Sequence, residues 1–160
     1  MTLKEKILEW LIRPERYYIR RYLRYLRKEE KALESRKSLA AYWYRARKNR
    51  LGSRLGFIIS AGCFGEGLTI WHYGSIIVNP KARIGKNCTI HGNCCIGNAR
   101  PESQDSPVIG DNVDIGQNAQ ILGGIRIADG VKIGAGAVVV KDILVPGATV
   151  VGVPGRIVAP

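Results

Sequence analysis

The sequence holds two histidines, and both are candidates for acid–base chemistry. His72 lies in the segment GEGLTIWHYG (65–74), and His91 directly follows Ile90. A neutral imidazole can take up and release a proton near pH 7, so it can act as a general base and then as a general acid. The alternative for either residue, and for His91 above all, is a structural or solvated histidine. A zinc site of the three-histidine type would need one more, so no metal is predicted.

The element that must position these histidines is a six-residue repeat. An aliphatic residue returns at every sixth position in one series, and a small or aliphatic residue follows each of these by four positions in a second series. The first series is Ile109, Ile115, Ile121, Ile127, Ile133, Val139, Val145, Val151 and Ile157, and the second is Val113, Ala119, Ile125, Val131, Ala137, Ile143, Thr149 and Gly155. A period of six fits neither a helix nor a simple strand, so each unit is predicted to be a short strand and a turn. Stacked triangular coils of three units would bury both series in one core.

The same count runs through the preceding part of the chain with two interruptions. Two extra residues separate the set Ile58, Phe64, Ile70 and Ile76 from the set Val78, Ile84, Ile90 and Ile96. This shift places Ile90 one coil along from Ile70, so we expect His91 beside Trp71 and close to His72 on one edge of the coil. The second interruption is the polar segment NARPESQDSP (98–107), which is predicted to leave the coil as a loop.

Residues 1–56 differ from the remainder in charge and in periodicity. They hold 17 of the 25 basic residues and 6 of the 13 acidic ones, so their net charge is +11 and that of the remainder is +1. Helical spacing predicts helices over Thr2 to Ile12, Glu15 to about Leu33 and Ser38 to about Lys48. After the third helix, Gly52 and Gly56 are expected to make the chain more flexible. The apolar stripe of the second helix contains Ile19, Tyr22, Leu23, Leu26 and Leu33. We therefore expect two units, a basic amphipathic helical segment (1–56) and the coil (57–160).

The basic helices admit more than one interpretation. A solvated helix face is the plainest. Tyr and Trp beside Lys and Arg also suit a peripheral contact of residues 1–50 with anionic lipid head groups on the inner face of the membrane. Nucleic acid binding is not predicted, because no recognition motif accompanies the charge.

The cysteines and the apolar runs bear on the compartment. No apolar run approaches the ~18 residues of a spanning helix. The four cysteines lack zinc-type spacing, and the stretch MTLKEKILEWLI does not read as a secretory leader. Free thiols in a cytoplasmic protein are therefore expected, with Cys88 and Cys94 on the inward phase of the repeat.

Three stretches of the coil resemble one enzyme family. GEGLTIWHYG fits the pattern Gly-x-Gly-Leu-x-Ile-x-His, which carries the catalytic histidine in serine O-acetyltransferases, and NPKARIG (79–85) and GVPGRI (152–157) continue the similarity. The chain thus resembles the hexapeptide-repeat acyltransferases, and its helical segment is similar to those of members that serve capsular and exopolysaccharide synthesis. The resemblance implies a mainly β fold, a left-handed parallel β-helix with an N-terminal α-helical segment.

The same resemblance implies an activity and a site. The activity is acetyl-coenzyme A dependent O-acetyl transfer by a homotrimer, directly and without a metal, with His72 as general base. The acceptor would be L-serine or, alternatively, a sugar hydroxyl of a capsular or exopolysaccharide precursor; a non-catalytic trimeric prism that binds partners is the third interpretation. Candidate residues of the acceptor site are Glu66, Trp71, Tyr73 and His91. Positions that match coenzyme A contacts of the family are Gly97, Gln117, Lys132, Ala135, Lys141 and Arg156.

Two positions depart from the family pattern. The aspartate that orients the catalytic histidine corresponds by counting to Phe57, and a second active-site histidine corresponds to Ser106. Another group is therefore expected to orient the imidazole of His72, such as a backbone carbonyl or Glu66, although Glu66 belongs to a different face of the coil.

Overall fold

The computed structural model of the protein describes residues 2–12, 15–100 and 102–159. Three helices precede a long series of short strands, and none of these described helices is long and apolar enough to cross a membrane. The helices are α1 (Leu3–Ile12), α2 (Glu15–Glu34) and α3 (Ser38–Leu55). The strands are β1 (Phe57–Ile58), β2 (Thr69–Ile70), β3 (Ile76–Val78), β4 (Arg83–Ile84), β5 (Thr89–Ile90), β6 (Cys95–Gly97), β7 (Val108–Ile109), β8 (Asp114–Ile115), β9 (Gln120–Leu122), β10 (Arg126–Ile127), β11 (Lys132–Ile133), β12 (Val138–Val139), β13 (Thr149–Val151) and β14 (Arg156–Ala159).

The strands wind into a coil with three flat sides. The first sheet contains β1, β3, β6, β9 and β12, the second contains β4, β7 and β10, and the third contains β2, β5, β8, β11 and β13, with β14 added antiparallel at its end. Phe64 and Ile143 add single bridges to the second sheet. Each strand pairs in parallel with the strand one turn away, which is the arrangement of a β-helix. The predicted fold class, a left-handed parallel β-helix of hexapeptide repeats with an N-terminal helical segment, is confirmed.

The core of the coil is the column of side chains that the repeat predicts. Aliphatic residues of the first series, from Ile109 to Val139, are buried, and small or aliphatic residues of the second series, from Val113 to Ile143, fill the space between them. Cys88 and Cys94 are buried within the same column, as predicted, and all four cysteines are free. The six-residue period therefore identifies most of the interior correctly.

The coil departs from the six-residue count at its first strand. Ile58, predicted to face inward, is 62% exposed, and its neighbours Phe57 and Ile59 are buried in its place. The reason is the register of β1 on β3, which pairs Phe57 with Ile76 and so turns Ile58 outward.

The last turn departs from the count as well. Three members of the first series are exposed instead of buried, namely Val145, Val151 and Ile157. Ile143 bridges Ile127 after sixteen positions, and Val150 pairs with Ile133 after seventeen, whereas a regular turn takes eighteen. The shortened turn changes the inward phase, so that Ala148 and Val150 fill the end of the core.

The second helix is docked on the first turn of the coil. Ile19, Tyr22 and Leu26 are buried, whereas Leu33 at the end of the predicted stripe is exposed. The Tyr22 ring meets Phe57 edge to face with centroids 5.1 Å apart, and its hydroxyl donates to the Ile59 carbonyl at 3.4 Å. These contacts fix α2 relative to the start of the β-helix.

The third helix continues through Gly52, where the sequence suggested a loosened chain. It ends at Leu55, and Gly56 follows with a positive φ of 80°. A Cβ on Gly52 would lie 2.6 Å from the Phe57 carbonyl oxygen. Gly52 therefore allows the helix to pass close to β1, which is a packing requirement rather than a break.

A buried ion pair joins the two long helices to the coil. Glu29 of α2 and Lys48 of α3 are almost fully buried, with Lys48 Nζ 2.9 Å from Glu29 Oε2. Lys48 Nζ also donates to the Ile59 carbonyl at 2.8 Å, and Arg45 Nε donates to Glu29 Oε1 at 2.7 Å. The two buried charges are therefore paired, and each also makes a hydrogen bond, Glu29 through Oε1 and Lys48 to the Ile59 carbonyl, which offsets the cost of removing them from water.

Replacing Lys48 should destabilise the protein strongly. Lys48→Met leaves Glu29 as a buried charge with only Arg45 as partner, so we expect the free energy of unfolding in urea to fall by about 3 kcal/mol. Lys86→Met, at an exposed position of the coil, removes the same charge and should have little effect. Equal stability of the two variants would contradict this role of the ion pair.

Burial of Cys88 predicts a loss of stability at alkaline pH. Removal from water, with a smaller contribution from the charge of Asp114, raises the pKa of the Cys88 thiol from 9.0 to about 12. The unfolded chain therefore loses this proton first, so the stabilisation is complete below pH 9 and declines as the pH rises towards 12. Urea unfolding above and below pH 9 should show a shallower decline in Cys88→Ala than in the wild type. A decline of unchanged slope would exclude this thiol as a cause.

Candidate active site

One edge of the coil carries both histidines. This edge, called here the histidine edge, consists of the turns that lead from the third sheet to the first, namely residues 71–75, 91–94, 116–119 and 134–137. Ile70 pairs with Ile90, as predicted from the two-residue shift. Trp71 and His91 are consequently neighbours, and their rings stack with centroids 6.3 Å apart and an angle of 17° between the planes.

His72 points away from the core and has a carboxylate partner. Its side chain is 58% exposed, so the ring is accessible to a substrate. His72 Nδ1 lies 3.3 Å from Glu15 Oε2, and Glu15 Oε1 accepts a hydrogen bond from the Tyr73 amide at 2.6 Å. One carboxylate thus contacts two consecutive residues of the turn.

Nothing in the sequence indicates that Glu15 is the partner of His72. It is the first residue of α2, and 57 positions separate it from His72. Neither the repeat nor the family pattern points to it, because only the docking of α2 brings it to the histidine edge. Glu66, the carboxylate considered from the sequence, lies on the edge between the second and third sheets, in a cleft that it shares with Arg27.

His91 is held by contacts on two sides. Trp71 stacks on one face of its ring, and His91 Nε2 lies 3.5 Å from Asp114 Oδ1 on the next coil. Its side chain is 32% exposed, less than that of His72. His91 therefore lies in the next turn of the histidine edge, and its ring is more enclosed than that of His72.

A groove beside the histidine edge separates α2 from β2. Trp71 lies at this groove, and Trp71 and Tyr73 both expose about half of their surface. The other lining residues are Arg16, Ile19, Arg20, Leu23, Leu68, Thr69 and Ile70. The groove combines an apolar floor with two guanidinium groups, next to the exposed imidazole.

The positions that match coenzyme A contacts do not meet in one place. Gln117 and Ala135 lie on the histidine edge, in the turns that stack beyond His91, and the Gly136 amide donates to the Gln117 carbonyl at 2.8 Å. Lys132 and Arg156 are exposed on the third sheet. Gly97 and Lys141 lie at the edge between the first and second sheets, on the other side of the first sheet.

The described residues of the loop, 98–100 and 102–107, leave the coil at the same edge as Gly97 and Lys141. They fold back over the turn at Gly124, where an added Cβ would lie 2.7 Å from the Cβ of Asp105. Ser106, which the sequence resemblance matches to a second histidine, precedes β7 and is thus on a different edge from His72. Among residues 2–12, 15–100 and 102–159, no group of three or more His, Cys, Asp or Glu side chains could hold a metal ion.

Comparison with known proteins defines the class of the repeat. Residues 106–141 match the family described as Bacterial transferase hexapeptide (six repeats). The match covers the later turns of the coil, where the six-residue count is regular. A search of curated protein sequences finds no match.

Solved structures give a more specific likeness. The structure is similar to the serine acetyltransferase of Neisseria gonorrhoeae, with 38% identity, a TM-score of 0.71 and coverage of 86% of this chain and 53% of that one. The same enzyme in complex with serine gives 37% identity, a TM-score of 0.69 and coverage of 86% and 55%. Serine acetyltransferase of Brucella abortus strain S19 in complex with coenzyme A has 29% identity, a TM-score of 0.72 and coverage of 86% of this chain and 54% of that one. The chain thus spans about half the length of the enzymes that it resembles.

Proposed function

We propose that the protein is an acetyl-coenzyme A dependent O-acetyltransferase with His72 as its general base. The observation that carries the proposal is the exposed imidazole of His72, paired with a carboxylate, on the edge of a hexapeptide-repeat coil. The likeness to serine acetyltransferases, among them complexes with coenzyme A and with serine, supports acetyl-coenzyme A as the donor and L-serine as the first acceptor to test.

The reaction needs no covalent enzyme intermediate. His72 takes the proton of the acceptor hydroxyl, and the oxygen attacks the carbonyl carbon of the thioester. Backbone amides stabilise the negative oxygen of the tetrahedral intermediate. The carbon–sulfur bond then breaks, and His72 returns its proton to the departing thiolate.

A homotrimer with sites at the seams would complete this arrangement. Gly97, Lys141 and the loop 98–107 lie at one edge of the coil, whereas His72, Gln117 and Ala135 lie at another. A seam that joins the first edge of one protomer to the histidine edge of the next would collect both groups into one groove. Lys132 and Arg156 offer cations for the phosphates of coenzyme A beside that groove.

A sugar hydroxyl is the second candidate acceptor. Trp71 and Tyr73, the neighbours of His72 in the chain, each expose about half of their surface. The resemblance to the family matches Ser106 to its second histidine. Exposed aromatic rings offer a broad apolar surface with little conformational freedom to lose, which suits a ring-shaped ligand. The sugar would belong to a capsular or exopolysaccharide precursor.

Removal of the His72 imidazole should abolish the transfer. His72→Ala is expected to lower kcat/KM by about 100-fold to 10,000-fold, because general base catalysis is lost. Disappearance of the thioester absorbance should be followed with L-serine and with a panel of sugars, since this signal is independent of the protein's own thiols. Full turnover by the variant would refute the mechanism, and the better acceptor in the wild type decides between serine and sugar.

We propose in addition that α3 contacts anionic membrane from the cytoplasmic side. Leu39, Tyr42 and Trp43 are exposed, and the guanidinium groups of Arg45 and Arg47 lie 5.7 and 4.9 Å from the ring centroids of Tyr42 and Trp43. Aromatic rings beside cations are the combination found at membrane interfaces. The four free thiols suit a reducing compartment.

Adding negative charge to the exposed apolar residues of α3 tests the membrane contact in the full chain. Leu39→Glu with Trp43→Glu should weaken flotation with anionic vesicles at least about tenfold, because attraction to such a surface is about 1 kcal/mol per basic group and two opposing charges are added. Leu144→Glu with Val158→Glu on the coil adds the same charge at two exposed positions and is the matched control. Equal flotation of both variants would leave the basic face as an ordinary solvated helix surface.

A further inference from the structure

We infer that Glu15 is a positioning residue that fixes the tautomer of His72, so that its Nε2 is the basic nitrogen. The inference rests on the proposed function for its catalytic consequence, whereas the contact itself stands on the geometry of the helix and the turn. A helical segment outside the coil would then supply a required part of the site.

The position of Glu15 is determined by the docking of α2. Tyr22 and Leu26 are buried against the first turn of the coil, and Arg27 donates to the carbonyl oxygens of Phe64, at 2.9 Å, and Gly65. These contacts hold the helix at points along its length. Its first residue is thereby brought to the turn that carries His72.

The hydrogen bonds of Glu15 determine the tautomer. The Tyr73 amide can only donate, so Glu15 Oε1 accepts from it at 2.6 Å. The second oxygen of an ionised carboxylate is also only an acceptor. His72 Nδ1, 3.3 Å from Oε2, must therefore carry the hydrogen of the neutral ring, which leaves the lone pair on Nε2.

The same carboxylate favours the protonated ring during the reaction. Hydrogen bonds between charged partners are shorter and stronger than those between neutral groups. The contact is therefore expected to strengthen when His72 takes the acceptor proton, and this stabilises the transition state more than the ground state. Glu15 itself contacts neither the reacting oxygen nor the thioester.

Glutamine at position 15 would reverse the tautomer. Its carbonyl oxygen is required by the Tyr73 amide, so its NH2 group faces His72 Nδ1 and donates. Nδ1 then accepts this hydrogen bond, and the ring hydrogen moves to Nε2. Nε2 can then no longer act as the base. Glu15→Asp keeps two acceptor oxygens with a shorter reach, and Glu34→Gln removes an equal charge from the far end of the same helix.

Nitrogen NMR of the two histidines tests this directly. With 15N-labelled imidazoles at a pH where both are neutral, the His72 signals, assigned with a His91→Phe variant, should show Nδ1 protonated in the wild type and in Glu34→Gln. Glu15→Gln should show Nε2 protonated, and Glu15→Asp should restore the wild-type tautomer in most molecules. A His72 tautomer that is the same in wild type and Glu15→Gln would overturn the inference.

Kinetics with acetyl-coenzyme A supply the second measurement. Glu15→Gln should lower kcat at least about 100-fold and leave KM for acetyl-coenzyme A within about twofold, because the base and not the binding groove is changed. Wild-type kcat in Glu15→Gln would overturn the positioning role. An inactive wild-type protein would refute the proposed acetyl transfer instead, since the NMR measurement needs no substrate.

Discussion

Parallel hydrogen bonding between successive turns is the constraint on which the structure depends. Each strand must lie over the strand one turn away, so extra residues cannot stay in a strand and are displaced into the turns at the edges. Ile70 pairs with Ile90 after twenty positions, and Thr89 pairs with Asp114 after twenty-five. The first surplus lies in the turn that carries His72, and the second is the loop 98–107. These two surpluses therefore lie at edges, and the core beneath them keeps its six-residue period.

The regular interior is what the sequence could predict. Burial of one aliphatic residue in every six follows from the period alone, and so does the placement of His91 beside Trp71, because counting fixes which turns lie above one another. The prediction was wrong where the count itself changes, at Ile58 and from Val145 onwards. In both places the strand pairing does not follow the six-residue count, so other residues face inward although the aliphatic pattern continues in the sequence.

Contacts between the helices and the coil could not be predicted in this way. The sequence indicates that residues 15 to 34 form an amphipathic helix, but it does not indicate where the buried face is placed. In the sequence, Glu29 and Lys48 cannot be distinguished from the other charged residues of the basic helices. In the structure they form a buried ion pair, and Lys48 also donates a hydrogen bond to the Ile59 carbonyl. Glu15 is likewise an ordinary first-turn acid, whose contact with His72 depends on the three-dimensional position of α2.

Phe57 connects the docking of α2 with the position of Glu15. The resemblance to serine acetyltransferases matches Phe57 to the aspartate that orients the histidine in those enzymes, and this chain has a phenylalanine instead of a carboxylate there. The same phenyl ring is the surface that Tyr22 packs against, with centroids 5.1 Å apart. An aromatic residue there excludes the coil-borne carboxylate and, at the same time, provides the contact that holds α2, which begins with Glu15. A carboxylate orients a histidine through the position of its oxygens, wherever in the chain the residue lies. A helix that packs on Phe57 can therefore supply the carboxylate that is absent at position 57.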